Sequence, residues 1–152
     1  MPEGYEFSGL NHVTVTVKDM EQSLHFYRDV IGFKVTMDVG ASHDREGMNL
    51  AHRAPREGHR MVTFDTGGGP TVSLTEYKEG EGEGILLDDI GVTHFSVTVS
   101  DLQALTKRVL AEGFESTRPG FFTDPDGILI QFQEPSHSES VRAHYQAKAQ
   151  SG

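Results

Sequence analysis

The chain has 152 residues, 23 acidic against 13 basic, and a formal net charge of -10. This suits one compact domain and disfavours nucleic acid or an anionic membrane surface as partner, since both bind proteins mainly through basic residues. It has no cysteine, so disulfides, thiolate ligands and a cysteine nucleophile are excluded and any metal must be held by nitrogen and oxygen. No basic and apolar leader and no apolar run approaching the roughly 20 residues of a membrane span is present, and the expectation is a cytoplasmic protein with a small-molecule partner.

The first strand follows Gly9, with Val13, Val15 and Val17 on one face and His12, Thr14 and Thr16 on the other. Residues Met20 to Val30 read as a helix, because Leu24, Phe26, Tyr27, Val30 and Ile31 recur at near-helical spacing. Asp19 is placed to cap it. After Gly32 come two strands, Phe33 to Val39 and Met61 to Asp65, separated by a long connection from about Gly40 to Arg60. This connection carries His43, Arg45, His52, Arg53, Arg56, His59 and Arg60, a basic stretch in an acidic chain. Long loops in compact domains are often binding elements or lids, so Arg53 and Arg56 are candidate contacts for an anionic substrate group. The plainer reading is a surface loop balanced by the acidic segment Glu76 to Asp89. A fourth strand sets Val72 and Leu74 against Ser73 and Thr75, and the glycine- and glutamate-rich residues 79–89 read as a linker.

The second half repeats the first. Gly91, His94 and Asp101 fall on Gly9, His12 and Asp19, with Phe95, Val97 and Val99 opposing His94, Ser96 and Thr98. Leu102 to Leu110 supplies the helix through Leu102, Leu105, Val109 and Leu110, and Gly113-Phe114 repeats Gly32-Phe33. The strands Phe114 to Arg118 and Gly120 to Thr123 are much more tightly joined than their counterparts. Phe64 to Tyr77 aligns without a gap on Phe122 to Pro135, so Ser73 falls on Gln131, and Ile130 and Phe132 oppose Gln131 and Gln133. Residues 136–152 are a polar tail in which Val141 to Gln150 reads as a short helix or a loose end. A duplicated module that brings two imidazoles to equivalent polar positions suggests a metal site at the joint of the halves. The plain reading of such faces is a solvated sheet surface.

These features together resemble the vicinal oxygen chelate superfamily, also called the glyoxalase, bleomycin resistance protein and dioxygenase superfamily. The carrying segments are Leu10 to Val15, Ser23 to Phe33, Thr93 to Val97, and Asp124 to Gly127 with the strand that follows. The resemblance covers about residues 8–135. It implies an α+β fold in which two βαβββ modules, about 8–78 and 90–135, form a cup-shaped, mostly antiparallel sheet with helices outside, within a single domain over 1–152. It further implies a homodimer and a divalent ion (zinc, nickel, cobalt, manganese or iron) held by His12, Ser73, His94 and Gln131. The family usually has a carboxylate at the last of these positions and often at the second, and this chain has neither. Two neutral imidazoles and an amide hold an ion without compensating charge, so affinity should fall, and a site that has lost its metal is the alternative. Glu76 and Glu134 lie three residues beyond the ligand positions and point to the opposite face unless a bulge turns one inward.

The resemblance implies a small metal-dependent enzyme that chelates a small oxygenated substrate through adjacent oxygens, with lyase or isomerase chemistry of the glyoxalase type. The alternatives are a ring-cleaving Fe(II) dioxygenase and a non-catalytic ligand-binding protein of the bleomycin-resistance kind. Candidate substrate contacts on the polar faces are Thr14, Thr75, Ser96 and Gln133. The pattern assigns no catalytic base, and Gln131 cannot act as one.

Overall fold

The computed structural model describes residues 4–43, 57–77 and 82–151. The chain divides into two compact units, Met1–Glu81 and Gly82–Gly152. No described helix is long and apolar enough to cross a membrane.

The first unit runs β1 (His12–Val17), a helix, β2 (Lys34–His43), β3 (Glu57–Asp65) and β4 (Thr71–Tyr77). Its open sheet has the order β1-β4-β3-β2, with β1 parallel to β4 and the other pairs antiparallel. The alternation expected in β1 is observed: Val15 and Val17 are buried while His12, Thr14 and Thr16 are exposed. Asp19 caps the helix, its carboxylate accepting the Gln22 N–H at 3.1 Å. The helix is regular only over α1 (Met20–Leu24) and continues as a π-helical segment over His25–Ile31. Its i→i+5 pattern is wider than the predicted α-helix, and the consecutive aromatics Phe26 and Tyr27 are both fully buried there. Gly32 ends it at a φ of 93°, in the left-handed region that suits glycine. Tyr27, Phe33 and Phe64 then form the centre of the core, with ring centroids 6.2 to 6.4 Å apart.

The expectation for β2 and β3 is corrected at both inner ends. The ladder continues through Gly40↔Arg60, Ala41↔His59 and His43↔Glu57, well into the stretch read as a loop. Backbone pairing needs no hydrophobic alternation to persist, so the sequence pattern gives no warning of it. Residues 44–56, which include Arg53 and Arg56, lie outside the described residues.

The second unit repeats the order with β5 (His94–Thr98), α2 (Leu102–Ala111), β6 (Ser116–Arg118), β7 (Phe121–Thr123) and β8 (Leu129–Gln133). Its sheet is β5-β8-β7-β6, again with its first pair parallel. Gly120, at φ 79°, makes the tight β6–β7 turn, and a Cβ there would meet the Phe132 carbonyl oxygen at 2.7 Å. Asp101 caps α2 as Asp19 caps α1, accepting the Ala104 N–H at 2.8 Å. The C-terminal residues form α3 (Pro135–Gln150), a helix of 16 residues. It is longer than the predicted short helix because Pro135 at its first turn starts it early. Its described side chains are exposed throughout.

Both units use the same device to join the last strand to the first helix. Glu76 at the end of β4 accepts the Met20 N–H, and Glu134 just after β8 accepts the Leu102 N–H at 3.0 Å. Each carboxylate meets an N–H that a helix leaves unpaired, at the end where negative charge is favoured. The two glutamates therefore sit on the helix side of their strands, as the three-residue offset from Ser73 and Gln131 predicts.

Candidate functional site

Each unit carries a candidate half-site on the sheet face opposite its helix. In the first, strand register sets Thr14 beside Ser73 and Ser73 beside Thr63, with Met37 beyond. Ser73 is only 6% exposed, and its hydroxyl is shared with the Thr63 hydroxyl at 2.9 Å. Thr75, one row along, is likewise buried. His12 stands at the exposed end of β1. Its Nδ1 lies 2.7 Å from Asn11 Oδ1. An amide oxygen only accepts, so Nδ1 carries a proton, and in the neutral ring the lone pair is then on Nε2.

The second half-site is arranged alike and lined differently. His94 is half-buried, with Nδ1 3.0 Å from the Thr93 hydroxyl, so the residue before each histidine holds the same ring nitrogen. When that hydroxyl accepts, His94 too presents Nε2. Such a partner on the far nitrogen fixes the tautomer and orientation of metal-ligating histidines. Gln131, half-buried, lies between Ser96 and Phe121 in register, and Gln133 pairs with Thr98. The Phe121 ring packs 5.2 Å from the His94 ring, and the Arg118 guanidinium carbon lies 5.0 Å from the Phe121 centroid.

Sequence reasoning missed Thr63, Phe121 and Arg118. Thr63 was legible from the alternation of Met61, Thr63 and Asp65. Phe121 was not, because two consecutive phenylalanines leave open which one faces the core; Phe122 does, fully buried against Phe132 at 5.9 Å. Arg60, read above as part of a basic loop, proves to be on the helix side of β3. There it pairs with Asp38 at 2.8 and 3.0 Å and with Glu21 at 2.5 Å. These partners raise its pKa and hold the Asp38 carboxyl below its ordinary value, through the side-chain hydrogen bonds first and charge attraction second.

Among the described residues no three His, Asp or Glu side chains stand together as a metal site. The acid nearest in pattern to the first half-site face, Asp65, turns to the β3–β4 turn and accepts the Gly67 and Gly68 N–H groups at 2.9 and 3.3 Å. The first half-site thus offers an imidazole and an engaged hydroxyl, the second an imidazole and an amide. Neutral nitrogen and oxygen donors of these kinds suit an imidazole-preferring divalent ion, with no protein carboxylate among them.

The family model described as the Glyoxalase/Bleomycin resistance protein/Dioxygenase superfamily matches residues 9–132. The chain belongs to this superfamily. Solved structures agree on the fold. A glyoxalase family protein from Bacillus cereus matches with a TM-score of 0.74 at 13% identity, over 88% of this chain and 98% of that one. The trypanothione-dependent glyoxalase I of Leishmania major gives 0.62 at 20% identity, over 93% and 96%. A fosfomycin resistance protein from Listeria monocytogenes gives 0.59 at 19% identity, over 89% and 98%. The superfamily thus spans enzymes and resistance proteins on one scaffold, and the fold alone does not fix the activity of a member.

Proposed function

We propose that this chain is a small metal-dependent enzyme of the glyoxalase superfamily that acts on a small oxygenated molecule bound through two adjacent oxygens, with lyase or isomerase chemistry. The observation that carries this reading is the paired contact at Nδ1, Asn11 on His12 and Thr93 on His94, which prepares equivalent ring nitrogens in both modules. His12 and His94 are the proposed nitrogen ligands, Gln131 contributes its amide oxygen, and Ser73 borders the site. When bound, a divalent ion supplies Lewis-acid stabilisation of negative charge developing on substrate oxygens. The chain's own residues do the rest. Thr14 and Ser96 present exposed hydroxyls to the substrate, with Thr75 and Gln133 behind them. Phe121 and Leu129, both nearly buried, shield the surroundings of His94 from water, which strengthens every polar contact made there. Arg53 and Arg56 remain proposed contacts for an anionic group. We read the two modules as one working domain, in a cytoplasmic homodimer.

The test is the metal content of protein purified without an affinity tag, by elemental mass spectrometry, beside a His12→Ala/His94→Ala double variant. Near-stoichiometric zinc, nickel, cobalt or manganese that is lost in the variant is the expected result, while iron would favour ring-cleaving dioxygenase chemistry. No bound ion and no uptake by dialysed protein would overturn the enzyme reading in favour of ligand sequestration, which the lack of a carboxylate ligand on these faces would then explain.

A further inference from the structure

The four strands of the second unit contain no Asp or Glu, and Arg118 is their single Lys or Arg, in a chain with 23 acidic and 13 basic residues. Arg118 makes no ion pair with any described residue. It lies on β6, the edge strand, in a row that crosses the sheet through Phe121 and Gln131 to Ser96. Phe121 carries the guanidinium carbon at 5.0 Å from its centroid and the His94 ring at 5.2 Å from its own, so one aromatic ring separates the cation from the histidine. Arg118 also lines the groove beside α2, whose two carboxylates, Asp101 and Glu134, accept the Ala104 and Leu102 N–H groups. The row thus offers a guanidinium, an amide and a hydroxyl beside an imidazole, with no strand carboxylate among them. Packing against an aromatic ring removes water from one side of a guanidinium and steadies it, which favours its planar fork for a planar anion.

We propose that Arg118 is the anion-recognition residue of the second module, taking an oxyanion group, carboxylate or phosphonate, of the small molecule that binds beside His94. The proposal rests on the reading of this strand face as the substrate surface, and it narrows the substrate to an anion. It places an anion contact on the sheet itself, in addition to the one proposed for Arg53 and Arg56. Arg118 is exposed, so its replacement leaves the core untouched.

The experiment is titration of metal-free, full-length protein with lactate, methylphosphonate and the neutral lactamide, followed by the Arg118 side-chain N–H and backbone amide signals in NMR spectra. The expected result is saturable binding of at least one anion with movement of the Arg118 signal, and little response to lactamide. The anion that binds distinguishes carboxylate from phosphonate. Arg118→Gln should weaken that anion about tenfold and Arg118→Lys by less, since charge-assisted hydrogen bonds are the stronger kind and lysine keeps the charge without the fork. Equal affinities in wild type and Arg118→Gln, or no saturable binding of either anion, would overturn it. Because no metal is present, failure of metal uptake in the earlier test removes the metal reading without touching this result.

Discussion

The two modules share a frame and differ in the face they present. In both, the first strand leads into an aspartate-capped helix whose first N–H is met by a glutamate at the end of the last strand or just after it, Glu76 in one and Glu134 in the other. In the first module β2 and β3 run 10 and 9 residues and bring Met37, Met61 and Thr63 over the face, leaving Ser73 buried against a hydroxyl partner. In the second, β6 and β7 have 3 residues each, and Gln131 stays half-exposed beside Phe121 and Arg118. Duplication thus kept the residues that hold helix to sheet and the paired histidines, while the other residues of the two polar faces diverged. The second module's face carries the cation and the more open amide.

The comparison can be broken most forcefully at the core. Phe64 and Phe122 are equivalent and both fully buried, so each Phe→Ala change should cost about 3–5 kcal/mol. Denaturant unfolding measures this, and it also shows whether losing one module's core unfolds the other in the same transition. The shared frame is tested next by Glu76→Ala and Glu134→Ala. Each leaves a part-buried helix N–H without its charged acceptor, for about 1–2 kcal/mol. Similar losses in the two variants support an equivalent role, and a loss in only one would show that the repeat is geometric without being energetic.

The smallest effect concerns a feature the second module lacks, the Arg60 pairing with Asp38 and Glu21. Asp38 is more than one third exposed, so Asp38→Asn should cost under about 1 kcal/mol near neutral pH. The Asp38 carboxyl lies below its ordinary value. Its contribution is therefore present above the ordinary carboxylate range and lost as pH falls through the folded-state value, where the folded protein must take up a proton. Stability curves of wild type and Asp38→Asn should converge as acid is added, and a gap that widens in acid would contradict the pairing.

Much of this frame was legible in the residues because it depends on short-range rules. Alternation placed Val15 and Val17 inside and His12 and Thr14 outside, and Asp19 and Asp101 announced their caps. The offset of Glu76 and Glu134 placed them on the helix side. What escaped depends on pairing across the chain. The extension of β2 and β3 towards each other is made by backbone bonds that leave no side-chain signature, so the ladder from Gly40 to His43 read as loop. Arg60 read as part of a basic stretch until strand register set it opposite Gly40, within reach of Asp38 two residues away on the same face. Phe121 and Arg118 were hidden for a related reason, since β6 and β7 are too short for alternation to be read and β6 carries a register shift between Ser116 and Arg118. Of the candidate site, duplication singled out the two histidines, while Asn11 and Thr93 gained meaning only with the Nδ1 contacts.

The most direct test of the account is calorimetric titration of zinc into dialysed full-length protein, comparing wild type, His94→Ala and Gln131→Glu. Equivalent histidines that ligate one ion, with Gln131 beside it, predict saturable binding in wild type. They also predict its loss in His94→Ala and, in Gln131→Glu, affinity tighter by about tenfold or more as a carboxylate restores negative charge. Zinc heats that are absent in wild type, or unchanged in both variants, would contradict it.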